Sequence, residues 1–201
     1  MTRPSADGAR FDAAYFARYY RNPKTRVSSK RDAERLAGFL VGYLAFLQQP
    51  VRRILELGPG VGQLRDALGA RLTGARYTGV EFSEYLCARH GYTRGSVETY
   101  QARTPFDLVV CQGVLQYLPD AAADRALANL ARLTRGALYL EALTLEDWQR
   151  NVDRKRTDGA VHLRPASWYR TRLARHFASA GGGLFLPRSS AAVLFELEKP
   201  R

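Results

Sequence analysis

The chain has 201 residues, 46% of them hydrophobic, which suits one domain with a full-sized core. Its 31 Lys and Arg against 19 Asp and Glu give a formal charge of +12. There is no 18-residue apolar run for a membrane span and no apolar signal core. The two cysteines make no disulfide framework, and the three scattered histidines lack metal-ligand spacing, so the expectation is a cytoplasmic, metal-free protein.

Along the chain, residues 1–10 read as disordered and 11–20 as a short helix crowded with tyrosine and phenylalanine. A loop broken by Pro23 follows. From Lys30 a strong helix runs to Gln49, with Leu36, Phe39, Leu40, Tyr43, Leu44 and Leu47 at i, i+3, i+4 spacing, Ser29 and Asp32 as its capping pair, and Pro50 as its stop. Strands and helices then alternate. Strands are expected at 51–57, 76–82, 92–97, 106–112 and 136–143, with helices near 62–70, 83–91 and 119–133 between them. A last helix over 164–180 is closed by Gly181-Gly182-Gly183, and 184–198 reads as two strands joined by a Pro/Ser turn. Alternation implies a parallel sheet covered on both faces, and a closing pair without a helix between must be antiparallel. The expected organisation is an N-terminal helical extension or lid over 1–48 and one α/β domain over 49–201.

The stretch ILELGPGVGQL, residues 54–64, carries the chemistry. Its glycines, Gly58, Gly60 and Gly62, let a backbone turn sharply under a ligand at the C-terminal end of a strand. The dinucleotide pattern G-x-G-x-x-G fails, because Gln63 stands where its third glycine belongs. Glu56, just before the turn, repels phosphate and suits an ammonium group. Glu81, ending the second strand about twenty residues after the turn, is placed to accept ribose hydroxyls. The site therefore suits an adenosine bearing an ammonium group and no phosphate, and S-adenosylmethionine has those parts.

At this point LELGPGVG, GVEFS, FDLVVCQGVLQYL and GALYLEALT, in order and in register over about residues 50–198, resemble the motifs of the class I S-adenosylmethionine-dependent methyltransferases. The resemblance implies a Rossmann-like fold, a seven-stranded mostly parallel sheet with a C-terminal antiparallel strand. It implies S-adenosylmethionine as cofactor and S-adenosylhomocysteine as product. It implies that Glu56 and the glycine turn face the methionine end, that Glu81 holds the ribose and that Phe82 packs by the adenosine. Ser96 and Val97 would lie at the adenine edge, and Cys111, Gln112 and Gln116 along the methionine moiety; a small buried hydrophobe is the equal reading of Cys111.

Methyl transfer from a sulfonium needs alignment, exclusion of water and, for some nucleophiles, removal of a proton. The long polar segment after the fifth strand supplies His162 as first candidate base, with Glu141 second, and Arg164 and Trp168 as acceptor contacts. Tyr15, Tyr19 and Tyr20 could wall the acceptor or close over the cofactor, or simply pack their helix. The basic excess lies in two segments, net +5 over residues 1–35 and net +6 over 149–176, against +1 for the rest. Clustered cations point to an anionic small-molecule acceptor met by Arg26, Arg164 and residues 154–156. Two rival readings stay open: a non-catalytic cofactor-binding protein, and a nucleic-acid methyltransferase, which the sequence CQGVLQY after strand four disfavours.

Overall fold

The computed structural model describes residues 10–198; the disorder expected of 1–10 therefore falls, apart from Arg10, outside the described residues. A short helix α1 (Ala13–Phe16) continues into a π-helical turn (Ala17–Arg21), and the long α2 (Lys30–Phe46) follows. The Ser29–Asp32 capping box is present: the Ser29 hydroxyl accepts from the Asp32 amide, and the Asp32 carboxylate accepts from the Ser29 amide.

The α/β part runs β1 (Arg53–Leu57), α3 (Gln63–Gly69), β2 (Arg76–Glu81), α4 (Glu84–His90), β3 (Thr93–Arg94), β4 (Phe106–Gln112), α5 (Asp120–Leu133) and β5 (Thr134–Glu141). It ends with α6 (Leu145–Arg150), α7 (Ala166–Leu173), β6 (Phe177–Gly181) and β7 (Leu184–Pro187). The seven strands lie in the order β3-β2-β1-β4-β5-β7-β6. β1 to β5 are parallel, and β7 is antiparallel to both its neighbours. This is the Rossmann-like methyltransferase sheet that the alternation of elements predicts.

The boundaries at the C-terminal end differ most. The last helix ends at Leu173, not Ala180, and the closing hairpin is β6–β7 rather than two strands within 184–198. The reason is the glycine triplet. Gly181, Gly182 and Gly183 all have positive φ, at 84°, 56° and 80°, and together they make the hairpin turn instead of stopping a helix.

Strand alternation splits the core. Leu55, Leu57, Val109, Cys111, Leu138 and Leu140 face α5 and α7, while Ile54, Leu108, Val110 and Ala137 face α2 and α3. The buried stripe of α2 is Ala33, Ala37, Leu40, Leu44 and, just beyond its end, Leu47. Small alanines let that helix approach the sheet. Phe39, expected inside, is 40% exposed and stacks on Tyr43 at the edge. Among the described residues no helix is long and apolar enough to cross a membrane.

Candidate functional site

In this strand order the connections leave β1 and β4 toward opposite faces, which opens a crevice outside their carboxyl ends. The crevice holds two joined hollows of about 600 and 330 Å³, which share Tyr15, Tyr20, Gly58, Gly60, Gln112 and Tyr117 in their walls.

The turn after β1 is built for close approach. Gly58 and Gly60 have φ of 77° and 55°, and a Cβ on Gly58 would stand 2.4 Å from Val114 Cγ2. The Gly58 amide donates to the Val80 carbonyl (2.8 Å) and the Gly60 amide to Glu81 Oε2 (3.1 Å), so the turn is sewn to the end of β2. Glu81 Oε1 accepts from the amides of Phe82 (2.8 Å) and Ser83 (3.0 Å). A carboxylate has about four acceptor sites, so three are filled and one is left for a hydroxyl. Burial raises the Glu81 pKa, and the three backbone N–H groups pull it back down.

Glu56 is also buried, and its Oε2 accepts from the Tyr77 hydroxyl (2.6 Å). Desolvation pushes its pKa up to about 7, against the lowering effects of Tyr77 and Arg65. Such a carboxyl lacks a cation; an ammonium group placed there would restore its charge.

The smaller hollow is lined by Glu81, Phe82, Ser96 and Val97. Asn129 of α5 fixes this edge from behind, its Nδ2 donating to the carbonyls of Val97 (2.8 Å) and Tyr100 (2.9 Å). The larger hollow takes in Glu56, Gln112, Gln116, Glu141, Tyr15 and Tyr19. Glu141 Oε2 accepts from Gln112 Nε2 (3.0 Å) and from the Tyr139 hydroxyl (3.1 Å). The N-terminal segment is fastened over both hollows. The Ser83 hydroxyl donates to the Phe11 carbonyl, and Arg10 pairs with Asp158 and donates to the Ala160 carbonyl (2.8 Å).

Several expected site residues lie elsewhere. Arg164 is 3% exposed and is a structural bolt. Its guanidinium donates to Asp120 Oδ1, to the carbonyls of Leu115 and Leu118 and to the Tyr169 hydroxyl. Trp168 lies under the Arg164 and Arg172 guanidinium groups, 4.8 and 3.7 Å from its ring centre, and lines neither hollow. His162 also lines neither; its backbone amide donates to the Gln116 carbonyl (2.7 Å), so its segment braces the turn after β4. Cys111 points into the core with no exposure, and burial pushes its thiol up to about 12. Gly62, at φ 81°, starts α3 and borders neither hollow. Arg26 lies in the turn after the π-helix, outside both walls.

The charges expected to meet an anionic acceptor do not line the larger hollow. The charged residues around the larger hollow are Asp32, Glu56, Glu141, Asp147 and Asp158, and no arginine or lysine is among its described wall residues. Of the cations expected to meet the acceptor, Arg164 pairs with Asp120 and Arg156 with Asp153, and Arg10 and Arg172 of the same basic segments pair with Asp158 and Asp124. A net charge per segment leaves out the carboxylates that other segments bring, as Asp120 and Asp124 do here. Three functional neighbours escaped the sequence reading. Tyr77 and Asn129 sit in ordinary strand and helix patterns, and Arg10 finds Asp158 across 148 positions.

The doubly wound sheet thus sets a glycine turn between two buried carboxylates, Glu56 and Glu81. Residues 55–136 match the family model described as a methyltransferase domain. No curated protein matches it. Its fold is similar to that of an amino pentose methyltransferase of Micromonospora echinaspora involved in calicheamicin biosynthesis, solved with S-adenosylmethionine bound (TM-score 0.61, 17% identity, 86% of this chain and 94% of that one). It is similar also to magnesium protoporphyrin IX methyltransferase from Synechocystis (TM-score 0.59, 18% identity, 90% and 92%). A third likeness is to a sugar N-methyltransferase from Streptoalloteichus (TM-score 0.52, 21% identity), where 61% of this chain spans about half, 53%, of that enzyme.

Proposed function

We propose that this protein transfers the methyl group of S-adenosylmethionine to a small-molecule acceptor held in the larger hollow. The observation that carries the reading is the pair of joined hollows with Glu81 in one and Glu56 in the other, on either side of the Gly58–Gly60 turn. The residues fit the cofactor. Glu81 would take the ribose, Phe82, Ser96 and Val97 the adenine side, and Glu56, with Gln112, the methionine end, while Gln116, which lines only the larger hollow, is given to the acceptor. The cofactor supplies a methyl group already activated on a sulfonium.

The chain's own contribution is orientation, dryness and proton removal. Residues 10–21 roof the site, and Tyr15, Tyr20 and Tyr117 bring their rings to both hollows. Water excluded in this way strengthens every charge interaction inside. Glu141 replaces His162 as the proton acceptor, because it alone of the two lines the larger hollow. In this reading residues 10–29 form the lid, whereas α2 packs into the core beside β1, β4 and β5 and is integral to the domain. A hollow of about 600 Å³ under a roof suits a small molecule better than a nucleic acid.

Calorimetry with S-adenosylmethionine, S-adenosylhomocysteine and NAD tests the cofactor assignment. Binding of the first two and not of NAD is expected; the reverse would end this reading.

A further inference from the structure

We infer that the acceptor is a cationic amine, captured as its ammonium form and methylated on nitrogen. The inference rests on the proposed transfer reaction and names the substrate class of that same site. Three observations carry it.

The first is charge. Beyond Glu56, assigned to the cofactor, the larger hollow keeps Glu141, Asp147, Asp158 and Asp32 in its wall and no described basic residue. Asp32 and Asp147 are committed to capping α2 and α6, and Asp158 to Arg10. Glu141 differs. Both its hydrogen bonds fall on Oε2, from Gln112 and Tyr139, and no described residue bonds its Oε1. A carboxylate held rigidly by one oxygen and offering the other is suited to an ammonium donor.

The second is aromatic. Tyr15, Tyr19, Tyr20, Tyr117 and Tyr139 contribute to the same wall. Ring faces attract cations and give anions nothing. Burial together with the charges of Glu81, Glu141 and Asp158 pushes the Tyr20 phenol up to about 12, so Tyr20 stays neutral among them. The third is Gln116. It is 7% exposed, it lines this hollow, and its buried Oε1 has no hydrogen-bond partner among the described residues. That acceptor atom calls for a donor, which an amine has and a carboxylate lacks.

The chemistry balances without another reagent. The bound ammonium first gives a proton to the Glu141 carboxylate, which passes it to solvent through its exposed side. The nitrogen lone pair then forms the N–C bond to the methyl carbon as the C–S bond breaks. The electron pair of that bond goes to sulfur, the sulfonium becomes the thioether of S-adenosylhomocysteine, and the positive charge moves to nitrogen. A tertiary amine acceptor would end as a quaternary ammonium; a primary or secondary one can lose a further proton to water.

The test uses three probes of one shape: cyclohexylamine, cyclohexanol and cyclohexanecarboxylate. Each is titrated into the full chain saturated with S-adenosylhomocysteine, whose own binding is read first in the same calorimeter. Cofactor that fails to bind overturns the transfer reading; the acceptor inference is judged on the probes that follow. The amine is expected to bind at least tenfold tighter than the carboxylate and to yield N-methylcyclohexylamine when S-adenosylmethionine replaces the product. E141Q is expected to cut that preference about tenfold, and the melting temperature of its cofactor complex reports that it folds. Because Glu141 is exposed, a second variant, Y20L, checks the aromatic wall by the same preference. Equal affinity for amine and carboxylate, tighter carboxylate binding, or no binding of any probe to the cofactor complex overturns the inference.

Discussion

The hydroxyl oxygens of Tyr15 and Tyr117 lie 2.8 Å apart, and this pair joins the N-terminal helix to the turn after β4 with both rings in the walls of both hollows. Arg10 adds a second fastening, its guanidinium 5.5 Å from the centre of the Tyr117 ring while it pairs with Asp158. The roof is thus tied to two separate loops of the α/β domain.

Loosening that roof should weaken cofactor retention before it unfolds the domain. Tyr15→Phe removes one neutral hydrogen bond, worth about 1 kcal/mol, roughly a fivefold loss in affinity if the roof closes only on the bound cofactor. A chain beginning at residue 21 should still unfold cooperatively, since the core formed by α2, the sheet, α5 and α7 is untouched. Its S-adenosylhomocysteine affinity should fall by more than the single substitution costs. Calorimetry and circular dichroism read the two quantities, and unchanged affinity in the truncated chain would remove the lid.

Glu56 makes both stability and binding depend on pH. In the folded, ligand-free protein its carboxyl holds a proton up to about pH 7, whereas its ordinary value is 4.5. The folded state therefore binds more protons in that window, and this group's contribution to stability falls as pH rises from 4.5 to 7. An ammonium group beside Glu56 favours the carboxylate, so cofactor binding below pH 7 should release a proton and weaken as pH drops. Calorimetry at pH 6 in two buffers of different ionisation heat measures the release. Glu56→Gln should abolish it.

Arg164→Ala should destabilise the fold by about 2–4 kcal/mol, because the carbonyls of Leu115 and Leu118 lose their buried donor. Arg164→Lys should rescue little, since one ammonium cannot span the positions that the planar guanidinium reaches. Denaturant titration gives the stability. Any loss of cofactor affinity should follow from a looser turn at 115–118, and it should be insensitive to salt because the site is buried.

Gly58→Ala should cost about 1–3 kcal/mol from its left-handed backbone, with the clash against Val114 Cγ2 added to that. Adding Val114→Ala removes the atom in the way and should recover the clash but not the backbone strain. Comparing melting temperatures of the single and double variants separates the two effects.

The sequence alone determined the alternating fold, the glycine turn and the placement of Glu56 and Glu81 at strand ends, because these depend on periods of a few residues and on local backbone geometry. The β6–β7 hairpin was not legible, since a glycine triplet stops a helix and turns a hairpin equally well until its neighbours pair. Nor was the pairing of the arginines legible. Arginine clusters are visible in one dimension, but Arg164 meets Asp120 and Arg10 meets Asp158 only after folding brings them together. His162 ranked ahead of Glu141 as a base on paper; the tertiary structure put His162 behind the turn after β4 and Glu141 in the wall of the hollow. Local propensity acts within a few residues, while the charge and shape of a cavity are sums over distant segments, so only the packed chain could decide them.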